Sequence, residues 1–482
     1  MGTGIAYPCS TMRDERTRAQ LALGKLEIYS TTAAKKIALA LVTALGISLL
    51  LPLTGLSDAG RWCLFILVFA GGLWVSEAIP AFAVSLLVIG LEIMILGRPG
   101  GVFAETSKDW VMFVEPWASP VIWLFFGGFV LAEAAAKSGL DRKVCRVVIS
   151  RCDSQPTKVL IGIMGVTFVF SMFISNTATT SMMMAVITPV VLSLPKNQPF
   201  AKGLLMAVPF AANLGGMGTV IGSPPNAIAV GVLQQEAPVP FLKWMGLGLP
   251  PALVLVAVAF VYLLVRYPAG RAKLDFSAAT AETPQEHRAP VWQQFTVMGV
   301  FLTTVALWMT GPLHGVPTPV VSFIPITVFT ATGVLGAFDI RKLPWDVLLL
   351  LTGGLALGVG VAETGLADWL IAQVPTETIG RLTLAIAMCY VCMTLSNFMS
   401  NTAATNIIIP VAAAIGTGFD VKIIVPIALA ASTAMCLPVS TPPNAIAFSH
   451  GRIETKDFVV AGVIMGVLGP ALAVAWCALV LS

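Results

Sequence analysis

The chain has 482 residues, of which 57% are hydrophobic and only 11% charged, with a mean hydropathy of +0.89. Soluble domains carry about 25% charged residues, so this balance excludes a soluble enzyme, a disordered chain and a nucleic-acid binder, and the formal net charge of +4 is too small to recruit a polyanion. What remains is an all-α polytopic membrane protein, with room for on the order of ten spans at about 20 apolar residues each.

The N-terminal arm, 1–36, carries Arg13, Arg16, Arg18, Lys25, Lys35 and Lys36 and has no early apolar core of the kind a cleavable signal peptide needs. The positive-inside rule places this end in the cytoplasm of a cell (inner or plasma) membrane. A first half, 37–265, follows, with apolar segments at 37–56, 61–79, 81–97, 159–175, 178–194, 203–221 and 243–265. Between the third and fourth lies a basic stretch with Lys137, Arg142, Lys143, Arg146, Arg151 and Lys158, which also reads as cytoplasmic. A polar linker, 266–292, leads to a second half, 293–482, with apolar segments at 293–311, 318–337, 383–399, 402–416, 421–438 and 457–481. Segments 111–137 and 346–370 fit poorly as ordinary spans, because each contains a glycine pair, Gly127-Gly128 and Gly353-Gly354. Each reads either as one long helix or as a hairpin that enters and leaves on one side.

The two halves repeat each other. Gly-Gly-Phe-Val-Leu at 127–131 parallels Gly-Gly-Leu-Ala-Leu at 353–357. Ser175-Asn176-Thr177 parallels Ser400-Asn401-Thr402, and Ser223-Pro224-Pro225-Asn226 parallels Thr441-Pro442-Pro443-Asn444. Three motifs in one order at offsets of 226, 225 and 218 mark a duplication. The polar motifs fall inside apolar segments and would interrupt a helix: Pro-Pro removes amide donors, while Ser, Thr and Asn favour caps. Such backbone is tolerated at membrane depth only where it lines a cavity or is buried in protein. Interrupted helices at matching places in two halves point to a transporter's binding site, with freed amides for an anion and freed carbonyls for a cation. Each half is therefore expected to hold two interrupted helices.

Charge is scarce at depth. Glu77, Glu92, Glu133 and Glu363 are the acids in or near the apolar segments, none lies in a repeated motif, and Glu77, before Pro80, reads as a helix end. His287, His314 and His450 fall in loops or at segment ends, so a proton relay lacks its usual groups. The eight cysteines are scattered, and Cys389-x-x-Cys392 sits in an apolar helix where buried hydrophobes are expected. No phosphate-binding Gly-x-x-x-x-Gly-Lys-Ser/Thr loop and no His-Glu-x-x-His motif occurs, and no catalytic residue or organic cofactor is expected.

The paired Ser-Asn-Thr and Ser/Thr-Pro-Pro-Asn motifs resemble those of the divalent anion/sodium symporter family, the INDY-type dicarboxylate transporters, from about residue 37 to the C-terminus. The resemblance implies inverted-topology repeats, about eleven spans and two re-entrant hairpins, placed at 111–137 and 346–370. It also implies a homodimer with a fixed scaffold and a transport domain that moves as an elevator. The substrate, a C4-type dicarboxylate such as succinate, malate, fumarate or 2-oxoglutarate, would meet Ser175, Asn176, Thr177, Ser400, Asn401 and Thr402, with Ser223, Pro224, Thr441 and Pro442 nearby. One Na+ would lie among Ser171, Ser175, Asn176 and Gly222, and a second among Ser396, Met399, Asn401 and Ser440. Met399 departs from the small residue common in the family, and Asn406, just beyond the second motif, adds a polar group without an assigned use. A Na+-independent dicarboxylate exchanger and a sulfate transporter are the alternative readings on this fold; an anion channel or a membrane enzyme are those outside it.

Overall fold

The computed structural model describes residues 31–481, apart from 141–142, 146, 148–150, 152–154, 196, 235–236, 270–288, 374–379 and 416–420. Residues 1–30 of the expected cytoplasmic arm and most of the expected linker lie outside the described residues. All regular structure among the described residues is helical.

The first half contains α1 (Thr31–Leu50), α2 (Asp58–Ser76), α3 (Ala81–Gly97), α4 (Pro120–Ser138), α5 (Pro156–Ser171), α6 (Asn176–Ser193), α7 (Pro199–Gly215), α8 (Pro224–Leu233) and α9 (Phe241–Arg266). The second contains α10 (Val291–Met309), α11 (Thr318–Ala331), α12 (Trp345–Glu363), α13 (Leu366–Gln373), α14 (Arg381–Ser396), α15 (Asn401–Ile415), α16 (Val421–Ala431), α17 (Pro442–Phe448) and α18 (Thr455–Val480). Seven of these are long and apolar enough to cross a membrane. With the shorter α3 and α11 and the broken pairs α7–α8 and α16–α17 they make eleven candidate spans among the described residues.

The glycine pairs do not make hairpins. Residues 120–138 and 345–363 are each one continuous helix of 19 residues, with the glycines in mid-helix. Their role is close packing between helices. A Cβ at Gly127 would stand 2.6 Å from Ser322 Cβ, and one at Gly353 would collide with Ser85. Helical hairpins are formed instead by α5–α6 and α14–α15, the four segments expected as separate spans, joined by the short turns 172–175 and 397–400. Each half thus has one hairpin and one broken helix, not two interrupted helices.

Two groups of helices emerge from the packing. α2, α3, α4, α11 and α12 pack among themselves, and so do α5–α9 with α14–α18. Within the second group α7 lies against α17 and α8 against α16, so the two broken helices cross antiparallel. Lys137 at the end of α4 reaches Asp339 at 2.6 Å, tying the first half to the second. Asp339 lies on the short helix Ala337–Arg341, outside the spans, and its burial is outweighed by the Lys137 ammonium and the Gly336 amide, which hold its carboxyl below the usual carboxylate range.

Candidate functional site

The hairpin tips are built by capping. Ser175 Oγ accepts from Ala178 N at 3.2 Å, and Ser400 Oγ accepts from Ala403 N at the same distance. A serine cap satisfies a donor that the first helical turn leaves free, so each Ser-Asn-Thr motif ends one arm's turn and starts the next helix. The preceding turns also match: Ile174 N bonds Phe170 O, and Met399 N bonds Leu395 O.

The breaks are held open by the asparagines of Pro-Pro-Asn. Asn226 Nδ2 donates to Gly216 O at 2.8 Å and to Thr219 O at 2.7 Å. Asn444 Nδ2 donates to Met435 O at 3.2 Å and Leu437 O at 3.0 Å. These carbonyls lie where the helix ladder is broken, and each asparagine donates to two of them across its loop. Thr219 joins break to hairpin, accepting from Gly222 N at 3.1 Å and donating to Met172 O. In the second half Ser440 Oγ donates to Asn397 O at 3.0 Å, and Cys436 N donates to Asn397 Oδ1 at 2.9 Å.

Around Asn176 the surroundings are all oxygen. Its carboxamide lies 2.6 Å from Ser171 Oγ and, turned with nitrogen inward, 3.1 Å from Gly222 O and 3.2 Å from Ala212 O. The backbone comes this close because the break uses glycine: a Cβ at Gly216 would stand 2.6 Å from Asn176 Oδ1, and one at Gly222 would stand 2.6 Å from Gly216 O. In the second half, Asn401 Oδ1 at the hairpin tip, Ser396 Oγ at the end of α14 and Ser432 Oγ in the break are each buried without a hydrogen-bond partner. Buried oxygens without donors suit a hard monovalent cation; these three lack donors, whereas the oxygens beside Asn176 are held by its own amide. The turns 172–175 and 397–400 and the breaks 216–223 and 432–441 contain no Asp, Glu, Lys, Arg or His.

Ser171, Asn176 and Gly222 are thus brought together, with Ser175 next to Asn176 in the chain, and Ser440 lies against the turn 397–400 through Asn397. Met399 is 2% exposed and packs into the core. Ser223, Thr402 and Thr441 are buried, whereas Thr177 and Pro442 are exposed. Glu77 closes α2 in the left-handed conformation with φ +49°, a helix end as expected. Glu92 is buried in the final π-helical turn of α3, with both carboxyl oxygens unpartnered, beside Gly360. Cys389 and Cys392 are buried free thiols. Sequence reasoning missed Asn213, Thr219, Asn226, Asn397, Ser432 and Asn444. Only Asn226 and Asn444 carried a usable signal, as the repeated final residue of Pro-Pro-Asn.

Two capped hairpins and two antiparallel broken helices, meeting at a buried, uncharged, oxygen-rich centre, define a polytopic membrane transporter. A family model described as the sodium:sulfate symporter transmembrane region matches residues 31–480, and the chain belongs to that family. It is 31% identical over 449 residues to the sodium-dependent dicarboxylate transporter SdcS of Staphylococcus saprophyticus, covering 84% of this chain and 83% of the relative. The SdcS of Staphylococcus aureus strain MW2 is 31% identical over 445 residues, 84% of this chain and 82% of the relative. Among solved structures, MtrF of Neisseria gonorrhoeae shares the fold at a TM-score of 0.51 and 10% identity, over 83% of this chain and 94% of that one.

Proposed function

We propose that the protein is a secondary active transporter of C4-type dicarboxylates coupled to Na+, and not an enzyme. The observation that carries this reading is the pair of uncharged hairpin tips, Asn176 set among oxygens and Asn401 with its Oδ1 buried and unpartnered. Carrying a bare dianion through the membrane costs several kcal/mol or more, and two cation sites beside the substrate offset its charge. The names of the SdcS relatives support both the substrate class and the ion. Ser171, Ser175, Asn176 and Gly222 would hold one Na+, and Ser396, Met399, Asn401 and Ser440 the other. Ser175, Asn176, Thr177, Ser400, Asn401 and Thr402 would meet the carboxylates, with Ser223, Pro224, Thr441 and Pro442 alongside.

In this reading α5–α9 and α14–α18 form the unit that moves as an elevator against a frame of α1–α4 and α10–α13. A homodimer would form through the frame, where α1 and α10 are only 17% buried and face lipid or a second copy. The exposed strip of α6 runs from Thr177 through Ser181 to Ala185, toward the end where Arg452 caps Val191 O at 2.7 Å and Lys158 begins α5. Positive residues collect at that end, so it is the cytoplasmic side of a cell membrane and the site opens inward.

Reconstituted vesicles test the reading. Labelled succinate should accumulate only with an inward Na+ gradient, and without internal substrate. Uptake that needs internal dicarboxylate and ignores Na+ would make the protein an exchanger. The family description favours sulfate as the second reading; sulfate that displaces succinate completely at equal concentration would shift the assignment to it.

A further inference from the structure

The two halves match in sequence but not in surroundings. α15 and α8 form a pair that presses on the frame, α15 against α2, α12 and α13, and α8 against α4 and α12. Residues 402–406 and 225–230 on this pair are all buried. Their counterparts by the repeat, α6 and α17, pack mainly on α5, α7 and each other. They leave Thr177, Ser181, Ala185, Pro442, Ala445 and Ser449 exposed.

Asn406 sits at the centre of the docked face, fully buried. Its Nδ2 donates to Leu350 O of α12 at 3.1 Å, a carbonyl that also accepts from Ser85 Oγ of α3 at 3.3 Å. Its Oδ1 has no partner, and a Cβ at Gly354 would collide with it. A polar side chain from the second hairpin thus enters a slot in the frame that only glycine leaves open. The repeat offset places Ser181 opposite Asn406, and places Leu124 and Gly128 of α4 opposite Leu350 and Gly354. That first slot now faces Ile221 of the break, 3.4 Å from a Cβ built at Gly128.

We infer that Asn406 is a positioning residue that fastens the mobile unit to the frame in the inward-open conformation, and that Ser181 takes the equivalent seat beside Gly128 in the outward-open one. The inference rests on the elevator reading. Ser181 is the shorter side chain with a single polar atom, so its seat holds less firmly and the protein rests in the conformation with Asn406 engaged.

The test uses paired cysteines in a full-length chain whose eight native cysteines are replaced. Gly354→Cys with Asn406→Cys should form a reversible crosslink under oxidation, stop succinate uptake, and regain it on reduction. Gly128→Cys with Ser181→Cys should crosslink as well, more slowly, and faster when Na+ and succinate let the unit cycle. Asn406→Ser in that second background should raise its crosslinking rate about fivefold, the shift expected from one neutral hydrogen bond. The inference is overturned if the Gly354–Asn406 crosslink leaves uptake running, if the Gly128–Ser181 pair never closes in a protein that transports, or if Asn406→Ser leaves the rate unchanged. The transport reading fails separately: a wild-type protein that moves no dicarboxylate while both pairs still exchange would retain the motion and lose the substrate.

Discussion

Asn213 Nδ2 stands 3.1 Å from Thr441 Oγ1 and 3.3 Å from Asn444 Oδ1, so the last turn of one broken helix holds the first turn of the other. The two breaks are therefore one structure. Thr441 Oγ1 also accepts from Asn444 N at 3.3 Å, and Asn444 braces its own loop, so a single side chain from α7 steadies the far motif. Removing it leaves the buried Asn444 Oδ1 without a donor, at about 1–3 kcal/mol. Asn213→Ala should lower the melting temperature in detergent and weaken succinate uptake together. A variant that melts as the wild type does would remove this role from Asn213.

The hairpin asparagines should behave differently. Asn176→Ala and Asn401→Ala should each abolish uptake while the purified protein keeps its elution volume. Asn401→Ala, which removes an Oδ1 that has no partner, should also keep its melting temperature to within a few degrees. Asn176, by contrast, is set among oxygens that its amide holds. Normal uptake in both variants would remove these residues from the site.

Gly222 offers a graded probe of the first cluster. A methyl group there would stand 2.6 Å from Gly216 O, and the shift it forces would move the carbonyl of Gly222 itself, which faces Asn176. Gly222→Ala should raise the Na+ concentration for half-maximal uptake severalfold, and Gly222→Val more, with less change in maximal rate. An unchanged Na+ dependence would place the cation elsewhere.

The Lys137–Asp339 link predicts a pH dependence. Asp339 is held below the usual carboxylate range, so the stability it contributes is fully present above about pH 4, near the ordinary aspartate value. That contribution is lost as pH falls through the lowered folded value. Melting temperature should drop with acidification more steeply in the wild type than in Asp339→Asn. Parallel pH profiles for the two proteins would count against the link.

Much of the site could be read from the chain because its signals are local. Pro-Pro ends a helix wherever it occurs, serine caps the residue three places on, and a duplicated order of motifs is visible without coordinates. Ser175, Asn176, Ser400 and Asn401 were singled out this way as candidates. The glycine pairs show the opposite case. Gly127-Gly128 and Gly353-Gly354 look like turn signals in isolation, yet they lie in mid-helix because Ser322, Ser85 and Asn406 approach from elements that are distant in the chain. The hairpins fell on segments that looked like plain spans, since sixteen or eighteen apolar residues suit either a crossing or a hairpin arm.

Composition and repeated motifs by themselves determined a membrane protein with a duplicated, uncharged site. Only the tertiary structure decided which segments turn back, how the breaks brace each other through Asn213, and that one half is docked while its twin is open. Caps and proline breaks depend on a few consecutive residues, whereas close helix approach and docking depend on what the rest of the chain brings alongside.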